Sequence, residues 1–141
     1  MEPLLNAMML WLSLNFALPL VPDQPRVLHV TPDRLVAIRH GGVMARVPDR
    51  TVLGAYDARS RTIYLRDDWD NHNAADLSVL VHELVHFMQD RAASQFECPA
   101  AREATAYAAQ QRWLEFYGTD LQSAFGIDAM TLKLRTACLP H

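Results

Sequence analysis

The sequence predicts an α+β domain in which a small antiparallel β-hairpin packs against several helices. Apolar residues recur at helical spacing through most of the chain, and two short β-branched and aromatic runs flank a polar four-residue turn. Prolines and glycines punctuate the pattern where one element should give way to the next. The length of 141 residues suits one domain over 1–141, long enough to bury a core without disulfides. Half of the residues are hydrophobic and the net charge is −3, so no general attraction to nucleic acid or an anionic membrane is indicated. The arginines at 46, 50, 59, 61 and 66 are scattered and are expected on solvated faces.

The apolar stretch from Met8 to Leu20 resembles the core of a signal peptide in composition. No Lys or Arg precedes it, however, and Glu2 stands where a positive charge belongs. It is also too short to span a bilayer. Leu4, Leu5, Met8, Met9, Leu12 and Phe16 instead fall on one helical face, and Pro19 ends the pattern, so a first helix packed on the core is expected. Val27 to Val30 is a short extended segment. Thr31 then reads as a cap, Pro32 as the first helical position and Gly41-Gly42 as the stop.

Thr51 to Tyr56 and Arg61 to Leu65 form the hairpin around Asp57-Ala58-Arg59-Ser60, with Ile63 and Leu65 on one side and Thr62 and Tyr64 on the other. Asp67 to Asn73 reads as a polar loop; it lacks the spaced ligands and glycine of a calcium loop. A long helix follows from about Ala74 to Arg91, capped by Asn73 or Asp76, with Leu77, Leu80, Val81, Leu84, Val85 and Met88 as its apolar stripe. Pro99 opens another helix that runs to Tyr117 and stops at Gly118; its alanines allow a neighbouring helix to come close. Asp120 to Cys138 reads as one or two short helices around Gly126. Cys98 and Cys138 form either a disulfide, which would favour an oxidising compartment, or two buried thiols; the expected location is cytoplasmic, with export the alternative if they are bonded.

The chemistry is concentrated in His82-Glu83-Leu84-Val85-His86. Residues four apart share a helix face, so His82 and His86 can offer both imidazoles to one ion. Glu83 projects beside that ion, where it can take a proton from a water the ion activates. A catalytic zinc site usually takes three protein ligands and leaves a fourth position open. A glycine at Gln89 and a histidine at Ala92 would extend the motif to a third histidine, and neither is present. The third ligand is therefore expected to be an acid: Glu103, early in the helix opened by Pro99, with Glu97 in the preceding loop as the alternative.

His82 to His86, followed by Glu103-Ala104-Thr105-Ala106-Tyr107, resembles the gluzincin type of zinc metallopeptidase. From about Ile63 to Leu114 the chain is also similar to small bacterial zincin-like proteins: a hairpin strand, a loop with Trp69, the helix carrying His82 to Gln89, and a second helix after Cys98-Pro99. The resemblance implies a minimal zincin-like fold, Zn²⁺ held by His82, His86 and Glu103, and a peptide or protein substrate laid along an edge strand, here Arg61 to Leu65. It implies hydrolysis with Glu83 as the acid/base. Tyr107 is the first candidate for stabilising the oxyanion and His72 a weaker one. His29, His40 and His141 have no motif around them. The alternative is a zinc-stapled binding module without turnover, since no second domain supplies a far wall to the cleft.

Overall fold

Prolines and short polar side chains set where the helices begin. The computed structural model describes residues 1–39 and 52–140. Along the chain the elements are α1 (Glu2–Phe16), β1 (Arg26–Val30), α2 (Pro32–Arg39), β2 (Gly54–Asp57), β3 (Thr62–Arg66), α3 (Ala74–Arg91), α4 (Pro99–Glu115), α5 (Leu121–Phe125) and α6 (Ala129–Thr136). Pro32 and Pro99 occupy first helical positions, where a missing N–H costs nothing. Asn73, Asp120 and Asp128 cap α3, α5 and α6 by accepting from the backbone amides of Asp76, Ser123 and Thr131. Gly126 closes α5 at φ 69°, so the last stretch is two short helices around that glycine. The expected stop at Gly41-Gly42, the start of a strand at Thr51, and Arg46, Arg50, His40 and His141 lie outside the described residues.

The fold is α+β, as the patterning predicts, but its sheet is mixed and three-stranded, in the order β1-β3-β2. β2 and β3 pair antiparallel around the expected turn, where Asp57 accepts from the Arg59 amide and the Ser60 hydroxyl. β1 pairs parallel to β3, with Val27 opposite Ile63. This corrects one expectation: Arg61 to Leu65 is not an edge strand, because the Val27 to Val30 segment occupies its other side. Among the described residues, β1 and β2 are the edges. Arg61 and Arg66, expected to be solvated, pair with Asp23 and Asp68.

α3 is the centre of the molecule. All 13 residues from Leu77 to Gln89 are buried, the polar ones included. The apolar stripe meets Leu5, Met8, Met9 and Leu12 of α1 and Ile63 and Leu65 of β3 in one cluster. α4 covers the polar side, and Ala106 and Ala109 are the alanines wholly buried there, while Ala104 and Ala108 face solvent. A disulfide between Cys98 and Cys138 ties the capping residue of α4 to the segment after α6. No helix among the described residues is long and apolar enough to cross a membrane.

β2 is pressed onto α3 at two points. Tyr56 donates to Asp90 at 2.8 Å and sets its ring edge-on to Phe87. At Gly54 the two backbones come so close that a Cβ would lie 2.8 Å from Val79 Cγ1 and 3.2 Å from Glu83 Cγ. Val79 is β-branched and buried, and in a helix one χ1 rotamer of such a side chain is strongly preferred. Gly54→Ala should therefore force β2 off α3 and lower stability by about 1–3 kcal/mol, the usual cost of overpacking. Denaturant unfolding of the two proteins measures it, and an unchanged midpoint would show that the contact is looser than this.

Candidate metal centre

Helical spacing sets two imidazoles side by side, and a second helix supplies the acid. His82 and His86 stand one turn apart on α3, with ring centroids 5.1 Å apart. Pro99 fixes the register of α4, and its second turn brings Glu103 over them. Glu103 Oε2 lies 2.9 Å from His82 Nε2, and Oε1 lies 3.1 Å from His86 Nε2. One ligand atom from each of the three residues falls within 4.8 Å of the others, a cluster that could hold a metal ion. Glu97, the alternative third ligand, is exposed in the bend before α4 and is not in the cluster.

The hydrogen bonds behind the histidines decide where their protons are. Gln89 donates its amide N–H to the Arg102 carbonyl at 3.1 Å, which turns its oxygen toward His86 Nδ1 at 2.9 Å. Ser78 spends its hydroxyl proton on the Ala75 carbonyl at 2.6 Å and so must accept from the Gln110 amide. That turns the Gln110 oxygen toward His82 Nδ1, also at 2.9 Å. Both Nδ1 atoms therefore carry the proton, since an amide oxygen only accepts. In the neutral imidazoles neither Nε2 atom then carries a proton, and the carboxylate 2.9 and 3.1 Å away only accepts as well. A cation has to lie between them, either protons or a metal ion.

Burial alone would raise the Glu103 carboxyl, but its contacts with the two imidazoles and their charge outweigh that and hold it well below the usual range. Burial alone would lower His86, but contact with Glu103 and the charges of Glu83 and Glu103 outweigh it and raise the imidazole. His86 Nε2 is nevertheless out of line for a hydrogen bond and has no partner, and neither has the buried Oε1 of Glu83. Unpaired buried polar atoms of this kind cost about 1–3 kcal/mol each. One belongs to the cluster that could hold a metal ion and the other to the residue next to His82.

The centre opens on a cleft of about 670 Å³ lined by His82, Glu83, Glu103 and Tyr107, with Leu53 and Gly54 on the β2 side. The Tyr107 ring packs on His82 at 4.6 Å, and its oxygen accepts from Arg135 at 3.1 Å. His72 is not brought to the centre: it is exposed in the turn before α3, its amide donating to Asp70. Four positions around the centre escaped the sequence reading: Gln89, Gln110, Gly54 and Arg135. The glutamines had a signal. Ser78, His82, His86 and Gln89 form a polar stripe along α3 at helical spacing, and Glu103, Tyr107 and Gln110 form its match on α4.

The proton accounting has a pH consequence. His86 is raised above its ordinary 6.5, so the proton it holds in the metal-free protein contributes stability in full below 6.5, and this is lost as the pH rises through the raised value. Glu103 is lowered and works in the opposite sense, contributing in full above its ordinary 4.5 and losing its contribution only in strong acid. Chelator-treated protein should therefore melt at a lower temperature at about pH 8.5 than at about pH 6, whereas a bound ion replaces the proton and removes the decline. Thermal melts at both values, with and without Zn²⁺, test this; identical pH dependence would mean that no proton is displaced.

No curated protein and no solved structure matches the chain. Residues 1–141 match the model of the family described as "Domain of unknown function (DUF6647)", and the chain belongs to that family.

Proposed function

We propose that the protein is a zinc-dependent hydrolase that cleaves peptide bonds, with Glu83 as its acid/base. The observation that carries the reading is Glu83: a residue 3% exposed, its carboxylate Oε1 unpaired, next to His82 on a helix that lines an open cleft. A metal that only stapled α3 to α4 would need neither that carboxylate nor the cleft. Two imidazoles and one carboxylate are a donor set that suits Zn²⁺, and three protein ligands leave a position free. Bound there, zinc would lower the pKa of water from ~15.7 to roughly 7 and polarise a carbonyl.

The chain's own groups do the rest. Gln89 and Gln110 hold the imidazoles in the tautomer that frees Nε2. Glu83 takes the proton of the attacking water and passes it to the leaving amine as the C–N bond breaks, so the products are a carboxylate and an amine. Tyr107 accepts from Arg135 and so keeps its own O–H free to donate to the carbonyl oxygen as charge develops there. Val52, Leu53 and Gly54 run along the cleft beside Glu83, and an extended substrate fits against them.

Glu83→Gln keeps all three ligands. Zinc content by elemental analysis should stay near one ion per chain while hydrolysis of an unstructured peptide falls by ~10²–10⁴-fold. Activity undiminished by this change would remove Glu83 from the mechanism.

A second comparison locates the third ligand. Glu103→Ala should weaken zinc binding by more than the roughly 10–100-fold that losing a ligand's hydrogen-bond partner costs, while Glu97→Ala leaves it unchanged. Competition with a chromogenic chelator ranks the two, and the reverse order would move the ligand into the loop.

A further inference from the structure

Beyond the three ligating residues the cleft is basic. Arg135 of α6 and Arg39 at the end of α2 both line it. Arg135 donates to Tyr107, whose ring rests on His82, so the guanidinium lies one phenol away from a metal ligand. Glu83 and Glu103 are the carboxylates among the described lining residues, and neither is free to neutralise an arginine. Glu103 is engaged by both imidazoles and Glu83 is buried against β2. Among the described residues, Arg135 makes no ion pair. With a divalent ion in place, the described lining residues carry net positive charge.

The helix that carries Arg135 packs on α4 without entering the core. α6 buries none of its residues, and Met130 and Leu134 are each 69% exposed. The disulfide at Cys138, three residues after Arg135, fastens this end of the chain to the start of α4. What α6 brings to the rest of the molecule is a guanidinium at the mouth of the cleft, on a segment covalently held in place.

Resting on the peptide-hydrolase reading, we propose that Arg135, in a field reinforced by Arg39, is a specificity site that receives a carboxylate of the substrate, from its chain terminus or an acidic side chain. A guanidinium offers a planar pair of donors matched to a carboxylate, and anchoring a charged group near the metal fixes which bond lies beside Glu83. Leu53, Phe125 and Ile127 line the same cleft and suit an apolar residue next to that charge.

Calorimetric titration of the zinc-loaded, disulfide-intact Glu83→Gln protein tests this without turnover. Three acetylated tripeptides serve as probes: Ala-Ala-Phe as the free acid, the same peptide as its C-terminal amide, and Ala-Ala-Glu as the amide. The acid should bind at least about tenfold tighter than the Phe amide, as charge-assisted pairing to a guanidinium that lines the cleft provides. Adding Arg135→Gln should shrink the ratio to below about threefold with zinc content unchanged, and Arg135→Lys should restore part of it. If the Glu amide binds as tightly as the acid, a side chain is an accepted source of the carboxylate; if it binds as weakly as the Phe amide, the terminus is the source. Equal binding of all three, or binding of none, overturns the proposal. So does an acid preference that survives Arg135→Gln and disappears when zinc is removed, because the carboxylate then sits on the metal. Acid preference in a wild-type protein that hydrolyses no peptide keeps this site and removes the hydrolase reading; equal hydrolysis of acid and amide does the reverse.

Discussion

Two imidazole nitrogens held beside one carboxylate inside a protein make an arrangement that only a cation, a proton or a metal ion, can satisfy. Each Nε2 of His82 and His86 faces Glu103 at 2.9 and 3.1 Å, and each Nδ1 is fixed as a donor by a glutamine oxygen. The glutamines are in turn fixed by groups with no freedom to reverse: the Arg102 carbonyl, and Ser78 with its proton on the Ala75 carbonyl. The tautomers therefore follow from backbone carbonyls on α3 and α4, several bonds removed from the centre. A cation entering the site meets two Nε2 atoms that these tautomers leave without a proton. The cost is paid in folding, because the same groups are buried with their charge unresolved when no cation is present.

That cost shapes the packing around α3. Its apolar stripe is ordinary and is covered by α1 and the sheet. Its polar side, which on a surface helix would face water, is covered by α4, and this needs a polar stripe on α4 in register with it. Ala106 and Ala109 bring the two helices close enough for Glu103 and Gln110 to reach across, and Gly54 lets β2 close over Glu83. Small residues thus stand wherever backbone must approach the site, and long polar ones wherever an ion or a proton must be addressed. The unpaired oxygen of Glu83 departs from local satisfaction where chemistry would need it, as functional sites commonly do.

What the sequence disclosed follows from what is local. The spacing of His82 and His86 determines a shared helix face whatever the rest of the chain does, and Pro99 gives Glu103 a helical register that Glu97 lacks. The helices, the Thr31 and Asn73 caps and the hairpin turn were legible for the same reason, whereas Asp120 and Asp128 were not read as caps. The position of β3 in the sheet was not, because it depends on β1, a five-residue segment more than thirty positions earlier whose pairing leaves no mark on either strand. Gln89 and Gln110 were overlooked because glutamine is a common residue of exposed helix faces; it becomes informative only when the polar positions of both helices are read as one seam. Arg135 carried no local signal at all, since α6 is placed by tertiary contact and by a disulfide that the sequence left open.

The choice of glutamine behind both histidines bears on the proposed chemistry. Ligating histidines often donate to a carboxylate, which makes the imidazole more basic and transfers more electron density to the ion. An amide oxygen fixes the same tautomer and ring orientation but carries no net charge. The zinc reading then has one anionic ligand, Glu103, and two imidazoles whose partners are neutral, so more of the ion's charge remains for a water or a carbonyl. In the same reading Glu83, the other nearby carboxylate, accepts a proton instead of ligating. A site built only to hold two helices together would gain from stronger donors and from closure; neutral partners, an unpaired base and an open cleft are what hydrolysis would use.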